Sequence, residues 1–226
     1  MYRYETHLHT SLVSACSQFE PEEIVEKYVR LGYRGLFVTD HFLNGNTSVP
    51  KDLPWEERIA RYAEGYKAVK RAAEGDLDVF FGIESSNRGA DFLVYGLDEK
   101  WYAAHPEIME LTPRDFCLCL RKAGALVVQA HPYREAFYLD RMTLLPFAVD
   151  GIEAINACEN ERSNGLAKTL ASAYGLICTG GSDIHSKSKK QLAGMEFETP
   201  ITSSKDYAAR VMRGEGSLFS ITDPSV

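Results

Sequence analysis

Short apolar runs alternate along this chain with stretches in which apolar residues recur every three or four positions. The runs "YETHL" (4–8), "RGLFVTD" (34–40), "LDVFFGIE" (77–84), "DFLVYGL" (91–97), "ALVVQAH" (125–131), "DGIEAIN" (150–156) and "GLICTGGSD" (175–183) have the length and content of buried strands. The helical stretches lie between them. Ile24, Val25, Tyr28 and Val29 form one apolar face after Pro21, a suitable first helical residue, and Gly32 stops it. Ile59, Ala63, Tyr66, Val69 and Ala73 predict a helix over 55–73. Thr112 as cap, Pro113, Asp115 and a stop at Gly124 frame another, and Leu166, Ala167, Leu170, Ala171 and Tyr174 mark one more. Residues 132–147 read as one irregular helix. The tail predicts a short strand near Met195–Phe197, a helix opening at Ser203 and a last strand around "SLFSI".

No linker-like stretch divides the chain and no repeat recurs at a fixed period, so residues 1–226 read as one α/β domain. Strands alternating with crossover helices imply parallel pairing. Seven or eight such units fit a small, distorted barrel. A doubly wound open sheet is the rival, but it would carry a Gly-rich phosphate loop after the first strand, where this chain has "HLHTS".

A formal charge of -7 argues against broad binding to long nucleic acid, which needs a basic stripe. Five cysteines without a CxxC pair support neither a disulfide framework nor a zinc knuckle; reduced thiols in a cytoplasmic protein are the simpler reading. "MYRYETHLHTS" has no apolar core of a signal peptide, and no run of 18 apolar residues predicts a membrane span.

The histidines change the picture. His7 and His9 stand two apart on a strand, a spacing that points both to one face. Asp40 and His41 follow the second strand, Glu84 ends the third and His131 the fifth; Asp183 and His185 follow the seventh. In a parallel barrel these ends gather at one mouth, where imidazoles and carboxylates make a metal site. Any one of them alone is an ordinary loop or hydrogen-bonding residue; five of six histidines in such positions are not. His105, in "AAHPEIM", is the exception and reads as structural.

The ordered set "HLHTS" (7–11), "TDH" (39–41), "GIE" (82–84), "HP" (131–132) and "GSDIH" (181–185) resembles the motifs of the polymerase and histidinol phosphatase (PHP) family of metal-dependent phosphoesterases, from residue 4 to beyond 190. The resemblance implies a distorted (β/α)7 barrel holding two or three divalent ions (Mn, Zn or Fe). It implies His7, His9, Glu84 and Asp183 around one ion, with Glu84 bridging to a second that His131 also binds. His41 and His185 would belong to a third position, where the family adds a ligand from the loop after the first motif. That loop here, "SLVSACSQF", has neither His nor Asp; Cys16 stands about there, as a thiolate ligand or a small buried hydrophobe. The second ion's extra ligand should follow "GIEAIN", where Glu159 is the candidate. Asp40 is placed to orient an imidazole, while Thr10 and Ser182 read as loop-shaping residues.

The expected chemistry is hydrolysis of a small phosphorylated metabolite or nucleotide by metal-activated water, with Glu84, His131 and Asp183 central. His131 or His41 could assist leaving-group protonation. Arg134, Arg88 and Arg162 are candidates for the phosphate, Arg134 first because it follows a ligand histidine by three residues. Lys187, Lys189 and Lys190 could steer an anion, and Phe42, Tyr133, Phe137 and Tyr138 could stack on a ring. The alternatives are a metal-dependent exonuclease, which would need a basic track to the mouth, and a degenerate binding domain without catalysis.

Overall fold

A computed structural model describes residues 1–87, 89–137 and 139–226. Among the described residues nine strands form one sheet: β1 (Tyr2–Leu8), β2 (Gly35–Val38), β3 (Asp78–Ser86), β4 (Asp91–Tyr95), β5 (Leu126–Ala130), β6 (Gly151–Asn156), β7 (Ile177–Gly181), β8 (Gln191–Phe197) and β9 (Ser217–Thr222). Their order is β7-β6-β5-β4-β3-β2-β1-β8-β9. The helices are α1 (Pro21–Arg30), α2 (Trp55–Ala73), α3 (Glu99–Ala103), α4 (Pro113–Lys122), α5 (Glu161–Tyr174) and α6 (Ser204–Met212), with a 3-10 turn at Pro106–Glu110. The α2 bounds coincide with the periodicity. The Thr112, Asn160 and Ser203 side chains cap α4, α5 and α6 by accepting from the backbone three residues on.

The sheet curls until its far edge meets β1. Leu8 bridges to Ile184 in parallel, and the Asp183 amide donates to the His7 carbonyl at 2.8 Å. Lower down, β1 pairs instead with β8, Tyr2–Tyr4 against Phe197–Met195. The result is a nearly closed barrel with the β8–β9 hairpin set into the lower seam. Glu5 ties the seam at mid-height: one carboxylate oxygen accepts the amides of Thr6, His7 and Ser182, each at 2.9 Å, and the other accepts the Tyr28 hydroxyl at 2.7 Å. Phe37, Tyr95, Phe197 and Tyr207 fill the interior below the site, with Tyr207 supplied by α6.

Two expectations need correction. Pairing is not parallel throughout: β4 runs antiparallel to both β3 and β5. Its joins to its neighbours therefore leave its first residue, rather than its last, at the mouth. Residues 132–147 form turns and extended chain rather than a helix among the described residues. Hydrogen bonds across the loop hold that shape: Gln129 takes both the Thr143 carbonyl (2.6 Å) and the Leu145 amide (3.1 Å), and Thr143 donates to Gly89 (3.1 Å).

Candidate metal centre

The mouth gathers His7 and His9 from the end of β1, His41 after β2, Glu84 on β3, Asp91 at the start of β4, His131 after β5, and Asp183 and His185 after β7. Four overlapping groups bring ligand atoms within 4.8 Å of one another: His7, His9 and Glu84; His7, His131 and Asp183; Glu84, Asp91 and His131; and His9, His41 and His185. Glu84 reaches His131 Nε2 at 2.9 Å through one oxygen and His41 Nδ1 at 2.6 Å through the other. Asp183 Oδ1 lies 3.4 Å from His7 Nε2 and 3.2 Å from His9 Nε2. His131 and Asp183 both adopt positive φ, 23° and 52°, which turns the chain sharply at the strand ends.

Local packing fixes how each imidazole presents itself. The Ser14 hydroxyl donates to Asp40 at 2.7 Å, so toward His9 Nδ1, 3.0 Å away, it can only accept. The proton therefore sits on Nδ1 and His9 Nε2 offers its lone pair to the mouth. Asp40 is itself held by the Thr10 amide (2.6 Å) and hydroxyl (2.8 Å); burial pushes its carboxyl up to about 6 against those hydrogen bonds. Asp40 thus orients an imidazole, through Ser14. His7 Nδ1 meets Glu153 Oε1 at 2.8 Å, and the other Glu153 oxygen takes the His131 amide at 3.0 Å. His185 Nδ1 donates to the Asp183 carbonyl at 2.9 Å. Gly181 makes room: a Cβ there would collide with His7 and with Glu153.

Five buried atoms at this mouth, His7 Nε2, His9 Nε2, His41 Nδ1, Glu84 Oε2 and Asp183 Oδ1, lie as close as 2.6 to 3.5 Å to one another yet form no hydrogen bond of good geometry. A buried polar atom without a partner costs about 1–3 kcal/mol, and more when charged. Burial would raise Asp183, but His7 and Arg134 hold its carboxyl well below the usual range; His41 and His7 do the same for Glu84. Burial would lower His7, yet Asp183, Glu153 and Glu84 pull a proton onto it, while burial with His41 and His185 leaves His9 neutral. The carboxylates demand positive charge at their centre. A divalent ion supplies it and displaces the protons, so the donor set fits one.

The other expected residues divide. Arg134 is at the mouth, its Nε on Glu159 at 2.9 Å and its Nη2 on Asp183. Glu159 is therefore engaged by Arg134 and belongs to none of the four ligand groups. Cys16 lines the same cavity as His41 and His185; burial would raise its thiol, but hydrogen bonds from His185 and His41 bring it down to about 6. Arg162 is exposed and pairs with Glu135 at 3.0 Å. Lys187 pairs with Glu23, and Phe42 is core. Tyr133 packs on the core and Phe137 is exposed. Arg88 and Tyr138 lie outside the described residues. His105 is remote from the mouth, stacked on Trp101.

Two important side chains escaped the sequence reading. Asp91 faces the mouth because β4 is reversed. Glu153 carries a visible signal, an acid in the middle of the apolar run "GIEAIN" that a buried strand tolerates only with partners.

No protein-family model and no curated protein matches the chain by sequence. Solved structures do. A two-domain protein from Bacteroides vulgatus, containing a predicted PHP-like metal-dependent phosphoesterase, superposes with a TM-score of 0.70 at 14% identity, over 96% of this chain and 64% of its own. This chain has the PHP-like phosphoesterase fold. PsfC from Pseudomonas syringae matches with a TM-score of 0.63 at 15% identity, over 100% of this chain and 93% of its own. A candidate metal-dependent phosphoesterase from Bifidobacterium adolescentis matches at 0.55 and 17% identity, over 82% and 88%.

Proposed function

We propose that this PHP-like chain, with residues 1–226 as one domain, is a metal-dependent phosphoesterase that hydrolyses a small phosphorylated metabolite or nucleotide. The five unpartnered buried atoms converging on one mouth carry that reading. His7, His9, Glu84 and Asp183 would hold one ion. Glu84, Asp91 and His131 would hold a second, with Asp91 in the role first expected of Glu159. When bound, such ions supply Lewis acidity toward phosphoryl oxygens and lower the pKa of a water.

The protein's own groups do the rest. Arg134 lines the cavity with its Nε and Nη2 committed to Glu159 and Asp183; its Nη1, which has no hydrogen bond among the described residues, is offered to a phosphoryl oxygen. Ser14, Asp40 and Glu153 keep the imidazole lone pairs facing inward. The cavity, about 660 Å³ and lined also by Asn44, Asn87 and Leu139, has the size of a small-ligand pocket. That size favours a metabolite over a polymer. No helix among the described residues is long and apolar enough to cross a membrane. Five unpaired cysteines suit the cytoplasm.

The test is metal analysis together with turnover of p-nitrophenyl phosphate and of bis-p-nitrophenyl phosphate. The expected result is two or three equivalents of Mn, Zn or Fe per chain, and hydrolysis of one ester that Asp183→Ala abolishes. A protein that binds no added metal, or an Asp183→Ala variant of full activity, would refute the reading.

A further inference from the structure

Glu153 on β6 and Asp183 after β7 are buried acids, and one neutral side chain bonds to both. Asn156, the last residue of β6, is itself fully buried. Its Nδ2 donates to Glu153 Oε2 at 2.9 Å and to Asp183 Oδ2 at 3.1 Å, and its Oδ1 accepts the Cys158 amide at 2.9 Å. An ionised carboxylate only accepts, so the amide nitrogen must face the two acids. Turned over, the carboxamide would set its oxygen against both and lose the Cys158 amide as well. Two carboxylates that would otherwise repel or share a proton are thus held by a donor that carries no charge.

This decides which oxygen each acid presents. Asp183 Oδ2 takes Asn156 and Arg134, so Oδ1 is the oxygen left beside His7 Nε2 and His9 Nε2. Glu153 is divided in the same way. Its Oε2 takes Asn156 and the His131 amide, and its Oε1 is left for His7 Nδ1.

The backbone of Asn156 is held in turn. Its amide donates to Asn164 Oδ1 and its carbonyl accepts Asn164 Nδ2, each at 3.0 Å. A carboxamide offers a donor and an acceptor side by side, as a neighbouring strand does. On one side of β6, Asn156 is in register with Gly181 of β7, while the register with β5 ends at Gln129–Ile152. Asn164, near the start of α5, serves as the missing stretch of strand. Asn160 is the contrast: it caps the same helix by accepting the Ser163 amide at 2.9 Å.

We propose that Asn156 is a positioning residue for the ion of His7, His9, Glu84 and Asp183, acting through Asp183 and Glu153, and that Asn164 holds it in register. This rests on the metal-centre reading above.

Metal affinity of the full chain, measured by chelator competition with zinc or manganese, tests it. Asn156→Leu, close in volume but without the donors, should weaken one equivalent about 10- to 100-fold and leave the others near wild type. Asn164→Ala, at a partly exposed position, should weaken the same equivalent by about threefold to tenfold, and it carries the test alone if Asn156→Leu does not fold. Asn160→Ala, which loosens the same helix, should bind as wild type does. Combined with Glu153→Gln, Asn156→Leu should cost less than the product of the two single losses, because both reach His7 by one path. Wild-type affinity in Asn156→Leu or Asn164→Ala, single losses that multiply in full, or a loss in Asn160→Ala equal to that in Asn164→Ala would each overturn the proposal and leave the phosphoesterase reading standing. Wild type that binds no zinc, manganese or iron removes both.

Discussion

Among the places where this molecule buries charge, two treat it in opposite ways. Against the outside of the barrel, Asp223 accepts Lys27 at 2.6 Å, Arg30 at 2.9 and 3.0 Å, and the Ser225 amide and hydroxyl at 3.0 and 2.7 Å. Each carboxylate oxygen is met by a donor. At the mouth, five atoms on His7, His9, His41, Glu84 and Asp183 crowd one another at 2.6 to 3.5 Å without a hydrogen bond of good geometry. A cluster that satisfies itself holds structure together. A cluster that leaves convergent atoms unsatisfied, at a cost to stability, is shaped for something else.

That contrast can be broken by experiment. The largest effect should come from Glu84→Gln, which removes a charge shared by two proposed ion positions. A Lewis acid contributes several kcal/mol to catalysis, so kcat/KM should fall by on the order of a thousandfold or more. Urea unfolding of the metal-stripped variant should show little loss of stability, or a gain, since unsatisfied charge has been relieved. Asp223→Ala should do the reverse. Leaving Lys27 buried without its partner should cost about 3 kcal/mol, the low end for a buried pair because Arg30 is partly exposed, while metal content stays at the wild-type level.

The pH dependence of the Asp223 cluster has a definite sign. Hydrogen bonds from Arg30, opposed by burial and aided by Lys27, hold the Asp223 carboxyl below its usual range. A folded-state pKa below the unfolded value stabilises at neutral pH, and that contribution disappears as pH falls through and below about 4. Asp223→Asn should flatten the acid limb of the stability curve there, measured by urea midpoints from pH 7 to pH 3. Next in size, Glu153→Gln and Ser14→Ala disturb His7 and His9 from behind. Each should weaken metal affinity about 10- to 100-fold in a chelator competition, with the fold intact. The smallest effect belongs to Arg162→Ala, which should leave turnover within about twofold, because an exposed pair such as Arg162–Glu135 contributes little.

How much of this was legible beforehand follows from the physics of each element. Strand ends were readable because each apolar run stops at a polar motif, and His7, His9, His41, Glu84, His131, Asp183 and His185 all reach the mouth. Asp91 was not, since strand polarity is a property of the sheet: the same residue opening a parallel strand would lie at the opposite end of the barrel. Residues 132–147 misled because local periodicity cannot register Gln129, whose amide holds that segment from outside it. Glu159 was placed near the mouth correctly but takes Arg134 as its partner, a choice that only the folded geometry reveals.

The seam at Glu5 has a consequence for the life of the chain. Glu5 and Ser182, whose amide it holds, stand 177 residues apart. At typical synthesis rates, roughly ten to thirty seconds separate their emergence from a ribosome. His7 and His9 thus exist for that interval without Asp183 or His185, as half of the proposed coordination sphere on an unclosed sheet. On the proposed reading, metal acquisition is a property of the finished chain. A product truncated before residue 183 would compete poorly for scarce ions, so incomplete copies draw little from the cell's supply.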